Sequence, residues 1–149
     1  MELTDTVRHV LQQKGPEVWS VDDETLVYDA IALMATKRIG ALLVISKGKL
    51  AGVISERDYA RKVALYGKSS NATRVKEIMT SPVISVAPDD TVEDCMKIMT
   101  GSHIRHLPIV EDERVVGILS IGDLVKWVIS AQQQTIQQLH NYINGNYPG

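Results

Sequence analysis

Residues 52–58 of the chain read GVISERD, and residues 117–123 read GILSIGD. The two stretches lie 65 residues apart, and both have Gly, Ser and Asp at their first, fourth and seventh positions. A shift of 65 residues extends the match without a gap over 18–60 and 83–125, where 11 of the 43 aligned positions are identical. Average composition gives roughly 6% identity by chance. The sequence therefore predicts one small fold that occurs twice.

Each copy has the pattern of a βαββα unit. A short strand rich in β-branched residues comes first, at 18–21 and at 83–86, and acidic residues then lead into a helix with an apolar stripe. Two strands joined by a polar turn follow, and a helix beginning near Ser55 or Ser120 closes the copy. Because a long period occurs only twice, we predict an α+β fold of two units in a pseudo-two-fold arrangement, not an open array.

The repeat divides the chain into four predicted segments. Residues 1–67 hold an N-terminal helix and the first unit, and residues 68–82 form a polar linker with a short helix. Residues 83–125 form the second unit, and residues 126–149 extend its last helix. Both flanking helices lie outside the repeat, and the C-terminal one is longer than a monomer needs.

The composition is that of a soluble globular protein, with 44% hydrophobic and 23% charged residues. A net charge of −2 gives no general attraction to nucleic acid or to acidic membranes, so neither is expected as a partner. No apolar run reaches the roughly 18 residues that span a bilayer, and residues 1–5 lack a basic region ahead of an apolar stretch. We therefore expect a cytoplasmic location.

The doubled motif, together with IRHLPI at positions 104–109, resembles the cystathionine-β-synthase (CBS) domain family, in the form of a stand-alone tandem pair. The resemblance covers nearly the whole chain. It implies two βαββα units whose sheets pack to leave two symmetry-related clefts. The ligands it implies are mostly adenosine compounds: AMP, ADP, ATP, S-adenosylmethionine or, in some relatives, NAD(H). These are regulatory ligands, and no catalytic cofactor is implied.

The Ser and Asp of the repeated motif are the central candidates for holding such a ligand. A hydroxyl at a helix start, near backbone N–H groups and the positive end of the helix dipole, suits a phosphate oxygen, which indicates Ser55 and Ser120. One turn later, Asp58 and Asp123 are placed to accept two hydrogen bonds from a ribose diol. The same spacing is typical of a capping box, which stabilises helices in proteins that bind nothing. The pattern leaves both interpretations open, and both can hold together.

Further ligand-binding candidates surround this motif. Apolar side chains are expected to contact the adenine, backbone groups at the strand starts to read its edges, and basic side chains to neutralise phosphate. These candidates are Trp19, Ile39, Ala41, Arg57, Ile84, Ile104, Arg105, His106, Pro108 and Gly122. The copies differ in charge, because Arg57 aligns with Gly122 and residues 40–41 align with the Arg-His pair at 105–106. We therefore expect two clefts that differ in affinity or in ligand.

Other functions receive less support from the sequence. A zinc site would need tighter paired spacing than His103, His106 and Cys95 provide, and Cys95 falls on an apolar helix stripe, as a core residue would. The common catalytic motifs are absent, and too few residues lie outside the repeat to form a catalytic domain. The basic pair at 37–38 does not indicate nucleic-acid binding, because basic residues at such helix positions usually form a solvated face. The more serious alternative is a ligand-independent interaction or dimerisation module.

We predict a non-catalytic regulatory homodimer that senses an adenine nucleotide and alters the surface shown to a regulated protein whose identity the sequence does not reveal. AMP, ADP and ATP would report energy state and NAD(H) redox state, and these residues permit either. The mechanism requires that the ligand bind one arrangement more tightly, because equal affinity for both would shift nothing.

Overall fold

A computed structural model of the chain describes residues 4–15 and 17–143. Its helices and strands, in chain order, are α1 (Val7–Lys14), β1 (Ser20–Asp22), α2 (Val27–Lys37), β2 (Ala41–Ser46), β3 (Lys49–Ser55), α3 (Glu56–Tyr59), a π-helical stretch (Ala60–Ala64), a 3-10 helix (Val75–Glu77), α4 (Val92–Ser102), β4 (His106–Glu111), β5 (Arg114–Ser120) and α5 (Ile121–Ile143). This is the predicted α+β fold with two units and a long last helix. The final residues of the predicted 126–149 extension, 144–149, lie outside the described residues.

The chain forms two compact units. The first unit is Glu17–Ser85, and the second combines Met1–Pro16 with Val86–Gly149. Each has its own apolar core, and the second unit's core includes Cys95 at 0% exposure, which confirms it as a core residue. The cores are formed by Val27, Ala30, Met34, Leu42, Val44, Ile54, Val63, Val75 and Ile78 in the first unit, and by Val7, Val10, Val86, Val92, Cys95, Met99, Leu107, Ile109, Leu119 and Leu124 in the second.

The predicted hairpins are confirmed in both units. Strands β2 and β3 pair antiparallel, as do β4 and β5, and the pairing shifts by one residue after Val44 in one hairpin and after the aligned Ile109 in the other. Both turns place their two central residues at positive φ, Lys47 and Gly48 in the first and residues 112–113 in the second. That conformation matches the twist of a two-residue hairpin.

The first predicted strand of the second copy is wrong in extent. In the first unit β1 runs parallel to β2, and the Asp23 N–H extends the pairing by donating to the Ile45 carbonyl at 3.1 Å. In the second unit only a single bridge forms, between Val86 and Ile109, and the sheet has two strands. The residue aligned with Asp23 is Pro88, which has no N–H to donate, so the equivalent hydrogen bond is impossible.

Helix α1 belongs to the second unit and not, as predicted, with the first. The Val7 N–H donates to the Asp90 carbonyl at 2.8 Å, and the Val92 N–H donates to the Asp5 carbonyl at 2.9 Å. These bonds tie the start of α1 to the start of α4, and Val7 is fully buried beneath them. The sequence assignment followed chain order, whereas the hydrogen bonds join segments about 85 residues apart.

The predicted linker 68–82 has the corresponding place in the first unit. The Val75 N–H donates to the Thr25 carbonyl at 2.8 Å, and the Val27 N–H donates to the Thr73 carbonyl at 2.8 Å. Thr25 and Val27 align with Asp90 and Val92 of the repeat. The two segments that bind there, residues 5–11 and 73–79, are called docking segments and are structurally equivalent. Residues 5–11 (DTVRHVL) therefore match residues 73–79 (TRVKEIM), with apolar residues at the same positions. The linker is part of the first unit's core.

Two glycines of the repeated motif allow these segments to lie close to the sheet. A Cβ added at Gly52 would lie 2.7 Å from the Met79 sulfur and 2.9 Å from the Thr80 carbonyl oxygen. A Cβ at the aligned Gly117 would overlap the end of the Leu11 side chain. Each docking segment thus occupies the space that a side chain on β3 or β5 would fill.

We expect Gly52→Ala to lower the free energy of unfolding by about 1–3 kcal/mol, because the Thr80 backbone cannot move aside without breaking its pairing with Val53. Gly117→Ala should cost less, since Leu11 can rotate. Gly101→Ala is the matched control, because its Cβ would meet nothing within 4 Å and α4 favours alanine. Urea unfolding of the three variants checks this order, and equal stabilities for the Gly52 and Gly101 variants would contradict it.

Candidate functional site

The repeated Ser and Asp form a capping box at the start of the last helix of each unit. The Asp58 N–H donates to Ser55 Oγ at 3.2 Å, and the Ser55 N–H donates to Asp58 Oδ2 at 2.9 Å. In the second unit the Asp123 N–H donates to Ser120 Oγ at 3.1 Å, and the Ser120 N–H donates to Asp123 Oδ2 at 2.8 Å. The capping interpretation of the sequence is therefore confirmed at both positions.

Each of these two aspartates also forms an ion pair with a lysine. Lys62 Nζ lies 3.1 Å from Asp58 Oδ1 and donates to the Ile78 carbonyl at 2.9 Å. In the second unit Lys14 Nζ lies 2.7 Å from Asp123 Oδ2 and donates to the Ile118 carbonyl at 2.6 Å. Each lysine therefore joins the aspartate to a backbone carbonyl of its own unit.

These two lysines were missed in the sequence, for different reasons. Lys62 is four residues after Asp58, a spacing at which opposite charges meet on a helix, so a signal was present. The aligned position in the second unit is Trp127, and the cation there comes from α1, 109 positions before Asp123. No local pattern indicates that contact, because it depends on which unit α1 packs against.

The second aspartate is held in its charged form. Burial of the Asp123 carboxyl opposes ionisation, but hydrogen bonds from Lys14 and from the Ser120 N–H outweigh it, and the pKa lies below its usual value. The group is a fixed negative charge at neutral pH. Any ligand hydroxyl that binds there finds an acceptor that already has the Lys14 ammonium and the Ser120 N–H as donors on Oδ2.

In the first unit, five predicted residues meet at one end of the sheet: Trp19, Ile39, Ala41, Ser55 and Asp58. Ala41 pairs with Ser55 across β2 and β3, and the Trp19 carbonyl accepts the Leu43 N–H at 3.1 Å. Arg57, half-buried, is next to Asp58 in α3. Lys37 Nζ lies 4.2 Å from the centroid of the Trp19 ring, so one face of the indole is already covered by a cation.

The corresponding end of the second sheet gathers Arg105, His106, Ser120, Gly122 and Asp123. His106 pairs with Ser120, and the Arg105 carbonyl accepts the Ile121 N–H at 2.8 Å. Ile104 precedes them and is half-buried against the core. The predicted set is therefore largely together within each unit.

Two predicted residues are placed differently from this set. Pro108 is buried inside β4 and pairs with Ile118, so its side chain belongs to the packing of the sheet. Ile84 is exposed and belongs to the first unit, although the repeat assigns it to the second copy.

The second unit contains a cavity of about 470 Å³ whose walls come from α1 and α5. Its lining residues are Val10, Gln13, Lys14, Asp123, Lys126, Trp127 and Ser130. The volume is in the range of small-molecule sites, and the lining includes two lysines and one carboxylate. Of these residues only Asp123 was predicted; the three on α1 were missed because the sequence assigned α1 to the other unit.

Cys95 and His103, which were considered as metal ligands, both occupy positions that the fold of the second unit explains. Cys95 is buried, and burial followed by the charges of Asp90 and Asp94 raises the pKa of its thiol to about 11. His103 ends α4 in the left-handed conformation, with φ of 55°. Within residues 4–15 and 17–143, no group of three or more His, Cys, Asp or Glu side chains is arranged to hold a metal ion.

In the same residues, no helix combines the length and hydropathy needed to cross a membrane.

We expect Lys14→Met to lower the free energy of unfolding by about 1–2 kcal/mol at pH 7, since the charged Asp123 loses its partner. A lowered carboxyl pKa stabilises the folded state above the unfolded pKa, and that contribution is lost as pH falls through the folded pKa. The difference in the free energy of unfolding between wild type and variant should therefore become smaller below about pH 4. Lys97→Met, which breaks the exposed pair with Glu93, is the control and should cost under about 0.5 kcal/mol. Urea unfolding at several pH values tests this, and a pH-independent difference would contradict it.

Comparison with known proteins identifies the fold. The family model for the CBS domain matches residues 5–65 and 75–130. The CBS domain-containing protein CBSX3, mitochondrial, of Arabidopsis thaliana is 40% identical over 95% of this chain and 73% of its own length. The CBS domain-containing protein YhcV of Bacillus subtilis is 33% identical over 72% of this chain and 76% of its own length.

Solved structures agree with these matches. A protein with CBS domains from Burkholderia ambifaria is 48% identical, with a TM-score of 0.82 over 85% of this chain and 96% of its own. A hexameric CBS-CP12 protein from bloom-forming cyanobacteria is 27% identical, with a TM-score of 0.73 over 80% of this chain and 69% of its own. The two units of the structure, the doubled Gly-x-x-Ser-x-x-Asp motif and these matches lead to one conclusion: the chain belongs to the CBS-domain family and contains a pair of CBS units.

Proposed function

We propose that this CBS pair is a non-catalytic regulatory module that binds an adenine nucleotide, AMP, ADP, ATP or NAD(H), and transmits its occupancy to a protein partner. CBS pairs generally serve as regulatory ligand-binding or interaction modules. The observation that carries the proposal is the aspartate at the same end of each unit's sheet, with a lysine Nζ on its carboxylate. This arrangement offers an acceptor for ribose hydroxyls and a cation for phosphate.

In the second unit, the ligand would exchange places with the lysine that pairs with the aspartate. Asp123 is a charged acceptor, and Lys14 is a strongly hydrated point charge on a flexible stem. A ribose hydroxyl that donates to Asp123 takes the place of the lysine, which then turns to a phosphate oxygen. Because Lys14 also holds the Ile118 carbonyl, the exchange loosens the end of α1. This gives the ligand a differential affinity for two arrangements, which a population shift requires.

The two sites differ in their charges, and we propose that they differ in affinity. At the first, Lys37 covers one face of the Trp19 ring and must move if adenine is to stack there. At the second, Arg105 and His106 stand at the strand start, and Gly122 replaces the arginine of α3. The second site therefore keeps more positive charge on the sheet side of its aspartate.

A ligand-independent interaction module is the second candidate. Both capping boxes are complete without a ligand, and α5 exposes a row of apolar side chains. Self-association is part of either function, and we propose a homodimer; the related CBS-CP12 protein is described as hexameric. We further propose a cytoplasmic location, although the Arabidopsis relative carries the description mitochondrial.

We expect isothermal titration with AMP, ATP and NADH to show two unequal sites for at least one of them. Asp123→Asn should weaken one site at least tenfold and leave the other unchanged, because it removes the acceptor charge. Asp94→Asn is the matched control, since Asp94 forms the same kind of capping box with Thr91 at α4, at a position with no proposed ligand role. It should lower stability by less than Asp123→Asn, which also removes the charge that Lys14 pairs with, and it should leave affinity unchanged.

Two results would contradict the sensor. One is equal loss of nucleotide affinity in the Asp94 and Asp123 variants, which would trace binding to general stability. The other is a melting temperature unchanged by millimolar AMP, ADP, ATP and NADH, because a ligand that binds only the folded state must raise it. The second result would favour the interaction module.

A further inference from the structure

Helix α5 has an apolar row that no part of the described chain covers. Ile129 is 48% exposed, Ile136 66%, Leu139 59% and Ile143 74%. The helix packs on its own unit through a different face, where Leu124 and Ala131 are buried. From residue 132 to 140 every side chain is exposed, so the second half of α5 has little tertiary support.

The spacing of this row is that of a coiled coil. Starting from Val125, the positions 125, 129, 132, 136, 139 and 143 alternate steps of four and three residues, so they fall on the a and d positions of consecutive heptads. The a positions are Ile129, Ile136 and Ile143. The d positions are Val125, Gln132 and Leu139. Ile at a with Leu at d, a combination that this row has in full only at Ile136 and Leu139, favours two parallel strands.

The flanks of the row favour an identical partner. No Lys, Arg, Asp or Glu occurs between Trp127 and the end of the chain. Two copies therefore meet without like-charge repulsion, whereas an oppositely charged partner helix would find nothing to pair with. The single polar d residue, Gln132, is complementary to itself because its amide both donates and accepts hydrogen bonds. A single polar core residue, typically Asn at an a position, specifies register in coiled coils, and Gln132 is the one polar core residue of this row, at a d position.

The family itself does not account for this segment. The CBS match ends at residue 130, and α5 continues for thirteen residues beyond it. An isolated helix of that length is marginal in water. Its rise of 1.5 Å per residue would carry the row from Ile129 to Ile143 over about 21 Å.

We propose that α5 forms a parallel two-stranded coiled coil with α5 of a second copy of this chain, with Gln132 paired across the interface to fix the register. The proposal rests on the homodimer given above and names its surface and orientation. It does not depend on nucleotide.

The test is a charge exchange at Leu139, where a parallel coil places the two copies' side chains opposite each other. Leu139→Glu and Leu139→Lys should each be monomeric by light scattering at micromolar concentration, because like charges then face each other. An equimolar mixture should restore a dimer containing one chain of each kind. Gln134→Glu, on the outer face of the coil, is the matched control and should remain dimeric. Circular dichroism checks folding; because Leu139 is exposed, the CBS units should be unaffected.

The outcomes separate this surface from the dimer itself. A wild-type chain that is dimeric and stays dimeric with either Leu139 variant would overturn the coiled coil and leave the homodimer standing. A monomeric wild type would overturn both. Gln132→Leu adds a second measurement: removal of the polar layer should tighten association and admit species larger than the dimer. An unchanged dimer in that variant would overturn the role of Gln132 in register.

Discussion

The architecture depends on backbone hydrogen bonds that join a short docking segment to the start of a helix in each unit. The Val7 and Val75 N–H groups donate to equivalent carbonyls. In each unit an N–H at the start of the helix, from Val92 or Val27, donates back to a carbonyl of the docking segment. Gly52 and Gly117 leave room for the docking segments against the sheet. The segment that precedes the first repeat completes the second unit, and the segment that precedes the second repeat completes the first. The first unit is therefore continuous in the chain, whereas the second combines two separate stretches.

This exchange of segments determines the chemistry of the candidate site. In the second unit, the docking segment brings Lys14 to Asp123 and to the Ile118 carbonyl. A ligand that competes for the aspartate therefore acts on the same helix that the backbone bonds hold in place. In the first unit the lysine follows Asp58 in the chain, and it donates to the Ile78 carbonyl of that unit's docking segment. At both sites the lysine therefore links the aspartate to the docking segment, but only in the second unit does the lysine itself lie on α1.

The two functions proposed for the chain use separate parts of it. The proposed nucleotide site lies where strands end and helices begin, on elements with buried cores and satisfied caps. The proposed association surface is the apolar row of α5, whose side chains are exposed and which has no Lys, Arg, Asp or Glu after Trp127. Because both start from α5, a shift at Asp123 and a change in coil packing act on one continuous helix. If both proposals hold, that continuity is a physical path between ligand and assembly.

The sequence by itself determined the repeated unit, its hairpins and its capping aspartates, because these depend on residues close together in the chain. Glycine, serine and aspartate at fixed spacing specify a strand end followed by a helix start, and alternating apolar residues specify the strands between. The sequence did not reveal Lys14 as the partner of Asp123, the truncated strand at Val86 or the unit to which α1 belongs. Those features arise from contacts between distant segments, and Pro88 matters because it lacks the N–H that the aligned Asp23 donates across the sheet. Tertiary structure decided them, since a hydrogen bond between residues about 85 positions apart leaves no periodicity for a sequence pattern to carry.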